Sequence, residues 1–98
     1  MESNIYKMVA SQATLEELTK RDKQIFDELT AGIDLTRARR PIAPGKTGVF
    51  NFHLYSSITK NHPILQHLLH RYSGHNHYPE IGYDSLLRQY ELIITVVR

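Results

Sequence analysis

The chain has 98 residues, no cysteine and a formal net charge of +2. This length suits a single domain, residues 1–98, with one hydrophobic core and little room for a deep cleft. The absence of cysteine excludes disulfides, thiolate metal ligands and a cysteine nucleophile, and it favours a reducing, cytoplasmic location.

The first thirteen residues allow two interpretations. Ile5, Met8 and Val9 suit one stripe of a helix, whereas residues 5–9 also suit a short β-strand. This start lacks the continuous apolar stretch of a signal peptide, which agrees with the cytoplasmic prediction.

A helix is predicted over residues 15–31. Thr14 and Glu17 have the spacing of a capping box, in which the hydroxyl and the carboxylate satisfy free amides at a helix start. The residues that follow at helical spacing form one apolar stripe: Leu15, Leu18, Ile25, Phe26 and Leu29. Gly32 favours the end of this helix. Asp22 lies within the stripe, either at the rim of the buried face or as a buried acid paired with an arginine.

A connector, a strand and a second helix follow. Residues 37–48 contain two prolines and two glycines, which are typical of a connector. Residues 49–55 alternate, with Phe50, Phe52 and Leu54 on one face, and predict a strand. Asn61 is the expected cap of a second helix that ends at Gly74. Its apolar face consists of Ile64, Leu65, Leu68, Leu69 and Tyr72.

The last part of the chain predicts a loop, a turn and a strand. Residues 75–82 are polar and aromatic and suit a loop, and residues 84–88 suit a helical turn. Residues 90–97 are rich in β-branched side chains and apolar on both sides, which predicts a strand covered on both faces. The longest apolar run, residues 92–97, is far too short to cross a bilayer, so no membrane partner is expected.

The predicted fold class is α+β. It has an N-terminal amphipathic helix, two to three antiparallel strands and a second helix. Two strands do not form a stable sheet in water without a third strand or a supporting helix. The missing strand is expected either from residues 4–9 or from a second copy of the chain, which would make the protein a homo-oligomer.

No enzyme is predicted. Residues 44–47 end like a phosphate-binding loop, but Arg40 occupies the position of its first glycine, and a strand follows instead of a helix. The Pro44–Gly45 pair fits a type II turn. Nothing resembles the setting of a nucleophilic serine, and no cofactor is implied.

A metal site is a weaker hypothesis. His67, His70, His75 and His77 lie close together in sequence, and imidazole is a good zinc or nickel ligand. The common helical zinc pair, at i and i+4 with a glutamate between, is absent. Surface histidines on a solvated face are therefore the favoured interpretation, with a histidine-rich metal-binding protein as an alternative.

Charge is distributed unevenly along the chain. Residues 1–34 carry seven acids and four bases, and residues 80–98 carry three acids and two bases. Residues 35–79, the basic segment, carry no acid and six bases: Arg37, Arg39, Arg40, Lys46, Lys60 and Arg71. Arginine forks match the geometry of phosphate and carboxylate groups. The segment therefore predicts a surface for an anionic partner, unless Arg37, Arg39 and Arg40 pair with the acids of the first helix.

The sequence thus predicts a regulatory binding module, an adaptor or inhibitor, that docks on a larger protein or protein–nucleic-acid complex. The residues expected to contact this partner are Arg37, Arg39, Arg40, Lys46, His75, His77 and Tyr78. The main alternative is direct nucleic-acid binding through the same segment, with bases stacked on nearby aromatic rings. A steep dependence of binding on salt would distinguish nucleic acid from a protein partner.

Overall fold

The structure, a computed structural model, describes residues 8–11 and 14–98. Its elements are α1 (Lys20–Ala38), β1 (Thr47–His53), α2 (Ile64–Tyr72), β2 (His77–Asp84) and β3 (Gln89–Val97). The predicted α+β class with two helices and an antiparallel sheet is confirmed. Neither helix of the described ranges is long and apolar enough to cross a membrane.

The sheet has the order β1–β3–β2, and β3 is antiparallel to both of its neighbours. β1 and β2 therefore run parallel to each other, and α2 connects them while β3 lies between them. This is the arrangement of a split β-α-β unit. A four-residue turn joins β2 to β3 as a hairpin.

The core lies between one face of the sheet and α2, and we call this sheet face the inner face. Strand alternation places Leu92, Ile94 and Val96 of β3 on the inner face, and all three are buried. The predicted apolar side of the second helix is buried against them in full: Ile64, Leu65, Leu68, Leu69 and Tyr72. Phe50 and Leu54, from the predicted strand face, complete this layer.

The first helix begins and ends later than predicted. Thr19 is its N-cap, and the hydroxyl of Thr19 accepts a hydrogen bond from the Asp22 amide at 3.1 Å. The capping box at Thr14 is wrong because the carbonyl of Glu16 accepts from Nε2 of His67 at 2.6 Å, which holds this stretch against α2 outside any helix.

Gly32 does not end the helix. A glycine inside a helix costs only about 1 kcal/mol relative to alanine, and the next residue, Ile33, is only 3% exposed. Burial of an isoleucine contributes roughly 1.5–3 kcal/mol, so continuation is favoured. The helix ends at Ala38, two residues before Arg40, which precedes Pro41 and is biased away from helical geometry.

The start of α2 also differs from the prediction. Pro63 occupies the N-cap position, and the amide of Ile64 donates to Nδ1 of the His62 ring at 3.1 Å. Asn61 is therefore not the cap. Nε2 of His62 lies 3.4 Å from a carboxylate oxygen of Asp22, so Asp22, half-buried at the rim, pairs with a histidine and not with an arginine.

The polar side of α2 holds the backbone of the N-terminal segment, although His70 and Arg71 on this side remain exposed. The Gln66 side chain accepts from the Ser11 amide at 3.0 Å and donates to the Val9 carbonyl at 3.2 Å. Nε2 of His70 donates to the Ser11 carbonyl at 2.9 Å. The N-terminal segment is therefore tied along the helix by side-chain to backbone hydrogen bonds.

The missing strand is β2, which forms where a loop was predicted. β2 contains Pro79, which cannot donate to a ladder and is tolerated in edge strands. Its outer edge carries one further bridge, in which Met8 and Ile81 exchange backbone hydrogen bonds of 2.8 and 2.9 Å. Ile5 and the other residues before Met8, which were also considered for this role, lie outside the described residues.

Two further predictions for the C-terminal part are corrected. Residues 85–88 form the hairpin turn and not a helical turn. Among the described residues, the helix that covers β3 lies on its inner face, and on the opposite side Ile93 and Thr95 are half-buried and Val97 is exposed. We call this opposite side the open face. A homo-oligomer stays a prediction, but the sheet obtains its third strand within the chain.

The corrected helix start makes a direct prediction. Thr19→Ala removes the cap of α1 and should lower the free energy of unfolding by about 1 kcal/mol. Thr14→Ala, at an exposed position outside the helix, should change it by much less. Urea unfolding followed by circular dichroism measures both. An equal loss in the two variants would contradict this assignment of the helix start.

Candidate anion-binding groove

A groove of about 280 Å³ lies at one end of the inner face, where α1 ends, β1 and β2 begin and β3 ends. Among the described residues, no side chain of its lining carries a carboxylate, hydroxyl or thiol group. It consists of three arginines, one histidine and four apolar residues: Arg37, Arg40, Arg98, His77, Pro41, Ile42, Phe50 and Val96. The groove is therefore a cationic site with apolar walls.

Strand register explains how distant residues meet here. His77 of β2 is paired with Val96 of β3, so both side chains lie on the inner face. The alternation continues to Arg98, whose backbone amide donates to the Lys46 carbonyl at 2.9 Å beyond the end of β1. The Arg98 side chain therefore follows Leu92, Ile94 and Val96 on the inner face, and unlike them it is exposed to solvent.

The two arginines from the end of α1 are placed against an aromatic ring. The guanidinium carbon of Arg40 lies 5.0 Å from the centroid of the Phe50 ring, and that of Arg37 lies 5.9 Å from it. Arg37 is also 5.7 Å from the Tyr72 ring. Such cation–π contacts hold a guanidinium group in place without occupying its hydrogen-bond donors. The carbonyl end of a helix additionally favours cations.

The positive charge of the groove is offset only weakly within the described ranges, by the longer-range attraction between Arg37 and Asp34. No carboxylate there lies within 4 Å of Arg37, Arg40 or Arg98. Nε of Arg37 is buried and has no hydrogen-bond partner, which is unusual for a buried donor. One nitrogen of Arg98 donates to the Ile42 carbonyl at 3.0 Å, which fixes this side chain along the groove wall. Several guanidinium donors are therefore available to an anion.

Ile42 forms an apolar wall because Gly48 has no side chain. A Cβ atom at Gly48 would lie 2.7 Å from Cγ1 of Ile42, which is too close for any real contact. The glycine therefore allows the chain after Pro41 to lie directly on β1.

Arg71 behaves differently from the other bases of the basic segment. Its guanidinium donates to Asp34 at 2.7 Å, and the Tyr72 hydroxyl donates to the other carboxylate oxygen at 2.8 Å. Burial alone would raise the pKa of Asp34, but these hydrogen bonds and the charges of Arg71 and Arg37 hold it below its usual range. Burial, with the hydrogen bond to Asp34, raises the pKa of Tyr72 to about 12. Arg71 is thus paired internally, whereas the internal pairing considered from the sequence for Arg37, Arg39 and Arg40 is not among the ion pairs of the described residues.

The predicted partner-binding residues divide into three groups. Those that line the groove are Arg37, Arg40 and His77; those near it in sequence that do not line it are Arg39, Lys46 and His75; and Tyr78 is exposed on the open face. The His77 ring is oriented by a hydrogen bond from Nδ1 to the His75 carbonyl at 2.8 Å. His75 therefore contributes its backbone, and not its side chain, to this corner.

The four histidines of the metal hypothesis do not converge among the described residues. His67 and His70 each use Nε2 to hold a backbone carbonyl of the N-terminal segment, and His77 uses Nδ1 on His75. The group of potential ligands that the described residues do bring together is a different one, on the open face, and it contains His53.

Arg98 was missed because it lies in a segment with an acidic balance. The signal was present in the alternation of β3, since every second residue from Leu92 onward faces the core and the series ends at Arg98. Reading strand periodicity through to the last residue would have placed this charge on the inner face.

A second cavity, of about 420 Å³, lies between the N-terminal segment and the start of α2. Its lining includes one acid, Glu16, and one base, Lys60, among mostly polar and small residues. It has no excess of either charge and so indicates no class of ligand.

Comparisons with protein-family models, with curated proteins and with solved structures found no match to the chain.

The pair formed by Asp34 and Arg71 makes stability depend on pH. Since the folded state lowers the pKa of Asp34, its contribution is present above the ordinary carboxyl pKa of about 3.9 and is lost as pH falls through the lower folded pKa. The pair is nearly half exposed, so Asp34→Asn should cost about 1 kcal/mol at pH 7. This cost should disappear near pH 2.

Urea unfolding at several pH values measures this effect. Asp27→Asn is the matched control, since it removes an exposed acid from the same helix. A cost for Asp34→Asn that is the same at pH 7 and pH 2 would contradict the ionic origin of the effect.

Proposed function

We propose that this protein is a non-enzymatic binding module, an adaptor or inhibitor, that docks on a larger protein by receiving an acidic group in the arginine groove. The observation that carries the proposal is the convergence of Arg37, Arg40, Arg98 and His77 around a groove with no acid in its lining. Neither a nucleophile nor a base–acid pair lies in this lining, which supports binding in preference to turnover. A cysteine-free chain fits action in the cytoplasm.

The apolar walls favour an acidic peptide segment as the occupant. Pro41, which is exposed, and Ile42, which is half-buried, supply a wall that an apolar side chain beside a glutamate or aspartate can contact. The guanidinium groups supply paired donors that match a carboxylate. A site of this size accommodates one or two side chains, and further contacts of a larger partner would come from the rim, where Arg39 and Lys46 are exposed.

Single-stranded nucleic acid is less well supported, because the aromatic residues are not available beside the arginines. Phe50 is 3% exposed and covered by Arg40. The Tyr55 hydroxyl donates to Glu28 at 3.2 Å, and Tyr78 lies on the open face. Base stacking next to a backbone-neutralising surface, the mode considered from the sequence, therefore lacks its platform.

The proposal is tested by selection of peptides from a displayed library of short random sequences. Wild-type protein should enrich peptides with an acidic residue next to an apolar one. Arg40→Ala should weaken binding of the recovered peptides by about tenfold or more, as expected for loss of a charge-assisted hydrogen bond. Fluorescence polarisation with labelled recovered peptides measures this change. Enrichment of neutral or basic peptides would contradict the proposal.

Arg39→Ala is the matched control, because it removes the same charge from a neighbouring exposed position outside the groove lining. It should weaken peptide binding much less than Arg40→Ala. A labelled oligothymidylate serves as the nucleic-acid comparison, and its binding is expected to be weak and steeply dependent on salt. Tight oligothymidylate binding that Arg39→Ala and Arg40→Ala reduce equally would support the nucleic-acid alternative instead.

A further inference from the structure

A second cluster of interacting side chains lies on the open face, at the hairpin end of the sheet. His53 at the end of β1, Asp84 at the end of β2 and Glu91 in β3 come from three adjacent strands. His53 is paired directly with Glu91, and the β2 residue across from Glu91 is Gly82. Because Gly82 has no side chain, Asp84 reaches the same point from further along its strand.

The three ligand atoms have the separation that a small cation requires. Nε2 of His53 lies 3.1 Å from Oδ2 of Asp84 and 3.2 Å from Oε2 of Glu91, and all three atoms lie within 4.8 Å of one another. Zinc binds nitrogen and oxygen at about 2.0–2.2 Å in tetrahedral sites, so its ligands lie about 3.3 Å apart. The two distances from Nε2 need little adjustment to surround such an ion, and the separation of the two carboxylate oxygens, at most 4.8 Å, leaves room for it.

Both carboxylates are held with one oxygen facing the cluster. Oδ1 of Asp84 accepts from the amides of Leu86 and Leu87 at 3.0 and 3.1 Å, which leaves Oδ2 for the cluster. Oε1 of Glu91 accepts from the Asn51 side chain at 3.4 Å, which leaves Oε2. Outer hydrogen bonds of this kind orient metal-binding carboxylates.

The charge at this point also favours a cation. Two carboxylates meet one imidazole, and no lysine or arginine of the described residues forms an ion pair with Asp84 or Glu91. The side chains are 19–40% exposed, so an ion can enter from solvent. Neutral imidazole with two carboxylates is a ligand set suited to zinc and, less strongly, to manganese.

We propose that His53, Asp84 and Glu91 form a binding site for a divalent transition-metal ion of the zinc type, with its remaining coordination positions open to solvent. On binding, the ion takes the place of the Nε2 proton that points at the two carboxylates, and this proton moves to Nδ1 of a neutral ring or, from a charged ring, to solvent. The site lies on the face opposite to the arginine groove and does not depend on the proposed function.

Isothermal titration calorimetry of the full chain with zinc chloride tests the proposal. One ion should bind per chain with a dissociation constant in the micromolar range. His53→Ala and Asp84→Asn should each weaken binding by about a hundredfold or more, whereas loss of an outer partner by Asn51→Ala should weaken it by about tenfold. Asparagine at position 84 can still accept the turn amides, so this variant removes the charge while keeping the hairpin turn.

His75→Ala is the matched control, because it removes an exposed histidine that belongs to no ligand group of the described residues. It should leave zinc binding unchanged. Magnesium chloride, titrated in parallel, should bind much more weakly. The proposal is overturned if wild-type protein shows no saturable zinc binding, or if His53→Ala binds zinc as tightly as wild type while its melting temperature shows that it is folded.

Discussion

The position of β3 between β1 and β2 is the constraint on which the rest of the molecule depends. Its antiparallel pairing with both neighbours makes alternate residues of all three strands share a face. The side chains of one set form the inner face, which packs against α2, and in β3 this set continues to Arg98, close to His77. The other set forms the open face, where His53 meets Glu91. Both candidate sites are therefore consequences of one register, and a slip of one residue would exchange their faces.

α1 completes the groove because the helix extends far enough to place Arg37 in its last turn. Had the helix ended at Gly32, the arginines after it would lie on a connector away from the sheet. Continuation to Ala38 instead delivers Arg37 from the last turn, and Pro41 then directs the chain across β1. Phe50 links the groove to the core. One side of its ring contacts the guanidinium groups of Arg37 and Arg40, and the other side packs in the hydrophobic core.

The sequence was most informative where a pattern was long and amphipathic. The apolar sides of α2 and β1 were predicted residue by residue, because alternation and helical spacing report burial directly. Helix limits were not, since the capping-box spacing at Thr14 is a local signal, whereas the hydrogen bond from His67 to Glu16 that holds this stretch outside the helix is a long-range contact. β2 was missed because an edge strand tolerates Pro79 and shows little apolar alternation. The helix limits and β2 were mispredicted because they depend on contacts between residues far apart in the sequence, which a local sequence pattern does not report.

Positive charge is concentrated in one part of the structure as well as in one part of the sequence. The net charges of the sequence segments do not show, however, which bases remain without an acidic partner in the structure. Arg71 belongs to the basic segment and is neutralised by Asp34, whereas Arg98 belongs to an acidic segment and lines the groove. Neutralisation depends on a few ångströms between charged atoms, because the energy of a pair falls with distance and with exposure to solvent. A surface with free positive charge is therefore one from which the fold excludes carboxylates. Here Glu91 and Arg98 lie on opposite faces and towards opposite ends of β3, so the acid of that strand does not reach the groove.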